Sequence, residues 1–417
     1  MSQIPASLPT WKSDTHARIS PRGFPLLPGG VGRNTYYAGR TPTYAIRGEG
    51  CFMWDDQGQK LIDLNNNFTS LIHGVAHPEV VEAATKAMEA GSCWGIPNLH
   101  EWDHAELLLA RFPELDQVRY CNSGTEAVMT AVRVARACTG RDGVVMTRNG
   151  YHGSSDIAFA TGDANARRGI PKGVSDDATL IDINDTAALR EAVEANPQKF
   201  AAIIIDLIPN RAGLIRVTED YARTARELAT RYGIVLIIDE VISLRLGHGG
   251  YAQSYGITPD LLTMGKLIGG GFPVGAVVGI EALMRVFDPT SSEAIPQAGT
   301  FSGNPVSMAA GAATLRLFGQ DVVDRMNAQG ARIRAAVSEG ISAHGWHVRG
   351  DGSLFRAYPN DPVNSAARQN QLWWEAYARG LLFSQTNLGS LSSPMTDEIA
   401  DQISERTIEA VLAVDKA

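Results

Sequence analysis

The chain has 417 residues, 44% hydrophobic and 20% charged, enough for two packed domains of an ordinary soluble globular protein. Its net charge of −8 argues against nucleic acid or an anionic membrane as the main partner. No stretch approaches the ~18 uninterrupted apolar residues of a membrane span, no signal peptide is evident, and four scattered cysteines (Cys51, Cys93, Cys121, Cys138) suit neither a disulfide framework nor a zinc site. A reducing cytoplasm is the expected home.

The first twenty or so residues are polar and proline-containing and read as an arm. PLLPGGVGRN follows as a loop, and YAIRGEGCFMWDDQGQKLIDL as a hairpin turning at Asp56-Gln57-Gly58. From about residue 78 helices alternate with short apolar strands. Residues 78–90 are amphipathic and stop at Gly91, 117–120 read as a strand, and a helix over 125–138 ends at Gly140. GVVMT, ATLIDI, AAIIID, IVLIID, LLTM and VGAVVG are nearly continuous apolar runs, with helical segments such as TEDYARTARELATRYG between several of them. Strands apolar on both faces and alternating with helices predict an α/β fold, a mostly parallel sheet covered by helices. Beyond about residue 310, a long alanine-rich helix, a strand at 353–357, a helix around Gln371 and a last helix from Asp397 predict a smaller α+β domain. The expected organisation is an arm and hairpin (1–77) joining the small domain, a large domain (78–310) and a C-terminal small domain (311–417).

Chemistry gathers in the large domain. Of seven lysines, Lys266 alone sits among Met264, Leu267, Ile268 and a glycine triplet, with no charged residue nearby. A desolvated lysine loses its proton readily, which suits Schiff-base chemistry. Asp239 closes the apolar strand VLIID, and an aspartate so placed can hold a pyridinium nitrogen positive. Ser123-Gly124-Thr125 lie between a strand and a helix, where free amides and the helix dipole bind an anion. An ordinary N-cap explains the same three residues taken alone. Together the segments supply an amine, a nitrogen partner and a phosphate cradle, which can meet at the carboxyl ends of parallel strands.

NSGTEA, GYHG, LIIDEV, GKLIGGGFPVGA and QAGTFSGNPVSMAAG, in that order, resemble class III aminotransferases of the fold-type-I superfamily dependent on pyridoxal 5'-phosphate (PLP). The resemblance covers roughly residues 22–410. LLPGGV and the GRD after the SGTEA helix are closer to the glutamate-1-semialdehyde aminomutase branch, and DEVISLRL to β-amino-acid aminotransferases. The resemblance implies a homodimeric aminotransferase that moves nitrogen from an amino donor to a keto or aldehyde acceptor in two half-reactions. Lys266 would form the Schiff base and shuttle the proton, Asp239 would pair with the pyridine nitrogen, and Val241 and Tyr151 would cover the ring's two faces. Ser123, Gly124 and Thr125 would hold the phosphate, and Thr300 would reach the phosphate of the neighbouring subunit. An intramolecular aminomutase needs the same residues. A PLP-binding protein without turnover is a third reading, disfavoured by intact Lys266, Asp239 and Tyr151.

The chain also departs from the pattern. Where many relatives have Glu-Pro-x-Gln, it has Asp206-Leu207-Ile208-Pro209-Asn210-Arg211, with Asn210 able to replace one cofactor contact. The mutase branch carries a glutamate near the C-terminal part of the site, where SQTNLGS places Asn387; that segment also lacks the carboxylate-binding arginine of many relatives. Arg33 stands where β-amino-acid relatives place such an arginine, against the alternative of a solvated loop residue; Arg211 and Arg245 are further candidates or structural ion-pair residues. Phe68 and Trp94 fall at substrate-pocket positions or in packing. His73 and His77 lack a third metal ligand, Cys121 reads as a small buried residue, and Trp373-Trp374 as packing.

Overall fold

The computed structural model describes residues 26–38, 43–363 and 365–415, so the expected N-terminal arm lies outside the described residues. The chain divides into two compact units, Pro78–Asp324 and a smaller one joining the segment up to His77 to the segment from Arg325 onward. The smaller unit begins as an antiparallel meander of β1 (Ala45–Glu49), β2 (Phe52–Asp55) and β3 (Lys60–Asp63). Asp55 fixes the turn foreseen at residues 56–58, its Oδ1 accepting from the backbone N–H of Gln57 at 3.0 Å and of Gln59 at 2.8 Å.

In chain order the larger unit contains α1 (Pro78–Ala90), α2 (Leu99–Leu109), β4 (Gln117–Cys121), α3 (Gly124–Thr139), β5 (Gly143–Thr147), β6 (Ala178–Ile181) and α4 (Thr186–Ala195). It continues with β7 (Phe200–Ile205), α5 (Glu219–Tyr232), β8 (Val235–Asp239), β9 (Leu261–Gly265), β10 (Gly275–Gly279) and α6 (Pro305–Leu317). Its seven-stranded sheet runs β4-β10-β9-β8-β7-β5-β6. The pairings from β9 to β6 are parallel, and β10 alone runs antiparallel to both neighbours. Every residue of β5, β7, β8, β9 and β10 is buried, as the unbroken apolar runs required. Helix α3 shows local signals obeyed at both ends: Ser123 accepts from Glu126 N–H as N-cap, and Gly140 closes the helix at φ 67°. Between them Ala127, Val128, Ala131, Val132 and Ala135 bury one face on the sheet.

The unit boundary falls at Asp324, not near residue 310, because α6 packs against α1 and α2 and is buried from Pro305 to Leu315. The single long helix expected there is two: α6 stops at Leu317, and α7 (Gln320–Ile341) begins after Phe318-Gly319. Then come β11 (Trp346–Arg349), β12 (Leu354–Pro359), α8 (Ser365–Ala378), β13 (Leu381–Leu382), β14 (Gly389–Ser390) and α9 (Asp397–Val414). β13 adds to β3 in parallel, and β11-β12-β14 form a second, antiparallel sheet. Trp346, Phe355, Trp373, Trp374 and Tyr377 fill this unit's core, with the indole N–H of Trp373 donating to Phe383 O at 3.1 Å and that of Trp374 to Ala38 O at 3.0 Å. Among the described residues no helix is long and apolar enough to cross a membrane.

Candidate active site

Five chemistry-bearing segments leave the carboxyl ends of strands in the larger unit. Asp239 ends β8, Lys266 follows β9, Asp206 follows β7, Tyr151 and His152 lie in the loop after β5, and Ser123 to Thr125 follow β4. Because β4 and β9 are both antiparallel to β10, all five strand ends lie on one edge of the sheet, where open α/β sheets bind ligands.

Asp239 is 4% exposed and held on three sides. His152 Nδ1–H donates to Oδ2 at 2.8 Å; Oδ1 accepts from the Thr263 hydroxyl at 3.1 Å and from Val241 N–H at 3.1 Å. Burial works against a charged His152, but the bond to Asp239, with the charges of Asp239 and Asp206, outweighs it and raises the imidazole's hold on its proton. Its Nε2 is buried without a hydrogen-bond partner. Asp206 is also buried; desolvation first, then the Asp239 charge, push its carboxyl up to about 7, although Ile208 N–H donates to Oδ1 at 2.9 Å.

Lys266 stands in the left-handed region at φ 53°, a conformation that costs a non-glycine residue about 1–3 kcal/mol and persists only where its surroundings impose it. Burial draws its ammonium down to about 8, helped by Arg245 and opposed by Asp239 and Asp206. A buried histidine holds the same turn. His104 Nε2–H donates to Ile268 O at 2.7 Å, and Nδ1 accepts from the Tyr120 hydroxyl at 2.7 Å. Burial takes His104 down to about 4, so this arrangement is neutral near pH 7.

Ser123 caps Glu126 N–H, leaving the first-turn amides of Gly124 and Thr125 without intrahelical acceptors. Two glycines make the close approaches here. A Cβ on Gly124 would lie 2.8 Å from Val241 Cγ1, and one on Gly153, at φ 101°, 2.5 Å from Thr125 Oγ1. Ser154 N–H donates to Thr125 Oγ1 at 3.2 Å, tying the GYHG loop to the start of α3. The Tyr151 ring carries the exposed Arg211 guanidinium 4.4 Å from its centroid, and Asn210 Oδ1 is a buried acceptor without a partner.

Thr300 is exposed, its carbonyl 3.9 Å from Cys93 Sγ, and Trp94 is 41% exposed. Arg33 and Phe68 belong to the smaller unit, with the guanidinium 4.9 Å from the Phe68 ring centroid. Arg245 is wholly buried, and burial lowers its guanidinium to about 9. Asn387 is a turn residue at φ 57°, its amide donating to Gln369 O and Oε1 at 2.7 Å each. Burial pushes the Cys121 thiol up to about 12, which makes it inert. His73 bonds Ser393 Oγ at 2.9 Å, and no cluster of metal-ligating side chains occurs among the described residues. Sequence reasoning missed His104, His152 and Thr263. Only His152 carried a signal, its place beside Tyr151 in GYHG.

A desolvated carboxylate, a lysine with a weakened hold on its proton, and unpaired helix amides on one sheet edge fit the pyridine nitrogen, aldehyde and phosphate of PLP. The class III aminotransferase family model matches residues 36–403. A glutamate-1-semialdehyde 2,1-aminomutase from Rhodopirellula baltica is 37% identical over 378 residues, 86% of this chain and 84% of that one. Two solved structures share the fold: a transaminase with PLP bound (TM-score 0.90, 35% identity, 94% of this chain and 95% of that one) and a β-phenylalanine aminotransferase from Variovorax paradoxus (TM-score 0.86, 30% identity, 93% and 91%). The chain belongs to the class III aminotransferases and is a PLP-dependent transaminase.

Proposed function

We propose that this transaminase takes an amine that bears a carboxylate and whose amino group is not on the α-carbon, such as a β-amino acid, and passes the nitrogen to a keto or aldehyde acceptor. Arg33 carries the reading. Its Nη2 donates to Asn67 Oδ1 at 2.8 Å and to the Tyr36 hydroxyl, and no carboxylate of the described residues pairs with it. Nε and Nη1 are thereby left for a substrate carboxylate, in a fork geometry that lysine does not reproduce. The solved β-phenylalanine aminotransferase supports the same substrate class.

In this reading Asp239 holds the cofactor's pyridine nitrogen, Val241 and Tyr151 cover its ring, and Ser123, Gly124 and Thr125 hold its phosphate. Asn210 serves beside the cofactor's hydroxyl, and Phe68 and Trp94 line the substrate site. When bound, PLP supplies an electron sink for the charge left when a C–H bond beside nitrogen breaks. Lys266 takes that proton on Nζ and returns it, which an amine titrating near 8 does at neutral pH. His152 and the Thr263 hydroxyl hold the Asp239 carboxylate in place. A homodimer in a reducing cytoplasm belongs to the same proposal. Ile96, Leu99, Trp102 and Phe301 are 76%, 80%, 68% and 61% exposed, large apolar side chains that a neighbouring subunit would cover, and Thr300 beside Phe301 would reach the neighbouring site. All four cysteines are free thiols.

The second reading is an amino-aldehyde mutase, favoured by the Rhodopirellula baltica relative and weakened by the neutral, structurally committed Asn387. The test assays β-amino acids against 2-oxoglutarate and pyruvate, with an amino-aldehyde alone as the other arm. Arg33→Lys should raise KM for the carboxylate substrate ~10- to 100-fold while sparing a plain amine. Efficient isomerisation without a keto-acid acceptor would replace the proposal with the mutase.

A further inference from the structure

The β11–β12 hairpin of the smaller unit carries a second polar cluster, unrelated to the residues assigned above. Trp346 and Val348 on β11, and Phe355 and Ala357 on β12, point into the core. Strand alternation puts His347, Arg349, Arg356 and Tyr358 on the opposite face. The register sets His347 directly across from Tyr358, and Arg349 directly across from Arg356. Like charges facing each other across a strand pair destabilise it, and neither arginine forms an ion pair with any described carboxylate. Both guanidiniums instead rest on one ring, with Cζ 5.1 Å (Arg349) and 4.4 Å (Arg356) from the Tyr358 centroid, and His347 stacks on that ring at 5.6 Å and 17°.

Cation–π contact holds the two cations in place, and apart from the Arg356 approach to the Tyr358 hydroxyl it leaves their N–H groups free for a ligand. Arg356 Nε and His347 Nε2 are buried without a hydrogen-bond partner, and the Tyr358 hydroxyl, also buried, has only the Arg356 guanidinium beside it. Buried polar groups are ordinarily satisfied, and an unpaired one costs about 1–3 kcal/mol. On its other side His347 Nδ1–H donates to Asn360 Oδ1 at 2.6 Å, which leaves Nε2 of the neutral ring as an unused acceptor. Burial also weakens the charged form of Arg356, and no carboxylate offsets that loss.

We propose that this face is an oxyanion site, in which a phosphate group or a similar multiply charged oxyanion bridges Arg349 and Arg356, takes a further hydrogen bond from Tyr358 and, where it carries a P–OH, donates to His347 Nε2. Guanidinium pairs suit such an anion because each offers two parallel donors. The ligand is either free inorganic phosphate or the phosphate of a small metabolite.

The test is calorimetric titration of the PLP-loaded enzyme with inorganic phosphate at constant ionic strength, with chloride as the control anion. A phosphomonoester such as glycerol phosphate, run in parallel, separates the two ligand sources. One saturable site should appear for phosphate or the ester and none for chloride. Arg349→Gln and Arg356→Gln should each weaken it about tenfold or more, and Tyr358→Phe a few-fold. In phosphate-free buffer Arg349→Gln should keep or raise Tm, because it removes like-charge repulsion, while abolishing the rise in Tm on adding phosphate. Absence of saturable binding at millimolar concentration, or equal binding by wild type and both glutamine variants, overturns the proposal. A lower Tm for Arg349→Gln with unchanged phosphate response would instead make the cluster a structural stack and overturn it too.

Discussion

Asp206→Asn tests the charge arrangement of the site directly. The substitution preserves the Oδ1 acceptor that takes Ile208 N–H at 2.9 Å and removes only the ionisable group. In the folded chain this carboxyl titrates near 7 against an ordinary 3.8, a gap (7 − 3.8) of about 3 units at ~1.4 kcal/mol each. The folded value is the raised one, so the native state holds the proton more tightly than the unfolded chain. The stability this confers is complete below about pH 4 and is lost as pH rises through 7. The loss is at most ~4 kcal/mol, and coupling to the neighbouring charges reduces it. Asparagine cannot ionise, so the variant should gain on the wild type by ~2–4 kcal/mol between pH 4 and 8, roughly 5–10 °C in Tm for a unit of this size. Apo protein melted across that range gives the profile. A second readout is Lys266, whose ammonium loses one supporting carboxylate and should titrate below about 8. The pH dependence of PLP capture by apo protein, followed in the visible, should shift to lower pH. A Tm difference equal at pH 5 and pH 8, with an unmoved capture profile, would refute the buried-proton account.

Borohydride treatment of the yellow holoenzyme should fix the cofactor to Lys266, and peptide mapping that finds the label on another lysine would displace it from its role. Asp239→Asn should fold and retain some PLP while transamination falls by on the order of a hundredfold or more, because an amide cannot hold a pyridinium charge; near-normal turnover would make the aspartate structural. Thr300→Ala should weaken PLP retention measured by dialysis, and a stable monomer that binds PLP fully would end both that role and the dimer. His104→Leu strands Ile268 O and the Tyr120 hydroxyl, each at about 1–3 kcal/mol. It should lower Tm and slow PLP capture, whereas lower Tm with unchanged capture would limit His104 to packing.

The parts of the fold visible in the sequence were those set by short-range rules. Buried strands announced themselves as apolar runs, and Ser123 and Gly140 marked the ends of α3 because capping depends on residues a few positions apart. The α6–α7 break was hidden: alanine-rich sequence runs through it, and Phe318 and Gly319 are no stronger a stop than many residues inside helices. Lys266 and Asp239 stood out because a charged group in an apolar context contradicts its surroundings. Thr263 and His104 did not, since a hydroxyl in a strand and a histidine in a helix are unremarkable until the chain brings Asp239 and Ile268 beside them.

The segment Asn66 to Thr69 shows the same limit more sharply. Four consecutive non-glycine residues hold positive φ, at 48°, 46°, 56° and 74°. Asparagine enters this region readily, but phenylalanine and threonine do so at a cost of about 1–2 kcal/mol per residue. No local propensity favours such a run, and its support comes from around it. Asp63 Oδ1 accepts from the N–H groups of Asn65 and Asn66 at 3.0 and 2.8 Å, Asn65 Oδ1 accepts from Phe68 N–H at 2.7 Å, and Asn66 Nδ2 donates to Ser390 O at 2.8 Å. The product of that support is a turn that sets Asn67 Oδ1 on the Arg33 guanidinium and the Phe68 ring 4.9 Å from it. An extended or right-handed path would direct those two side chains elsewhere. Backbone strain survives where neighbouring groups over-determine it, and here they include a buried carboxylate and a residue more than three hundred positions away. The proposed specificity residue, Arg33, is thus oriented by a conformation that its own loop does not encode.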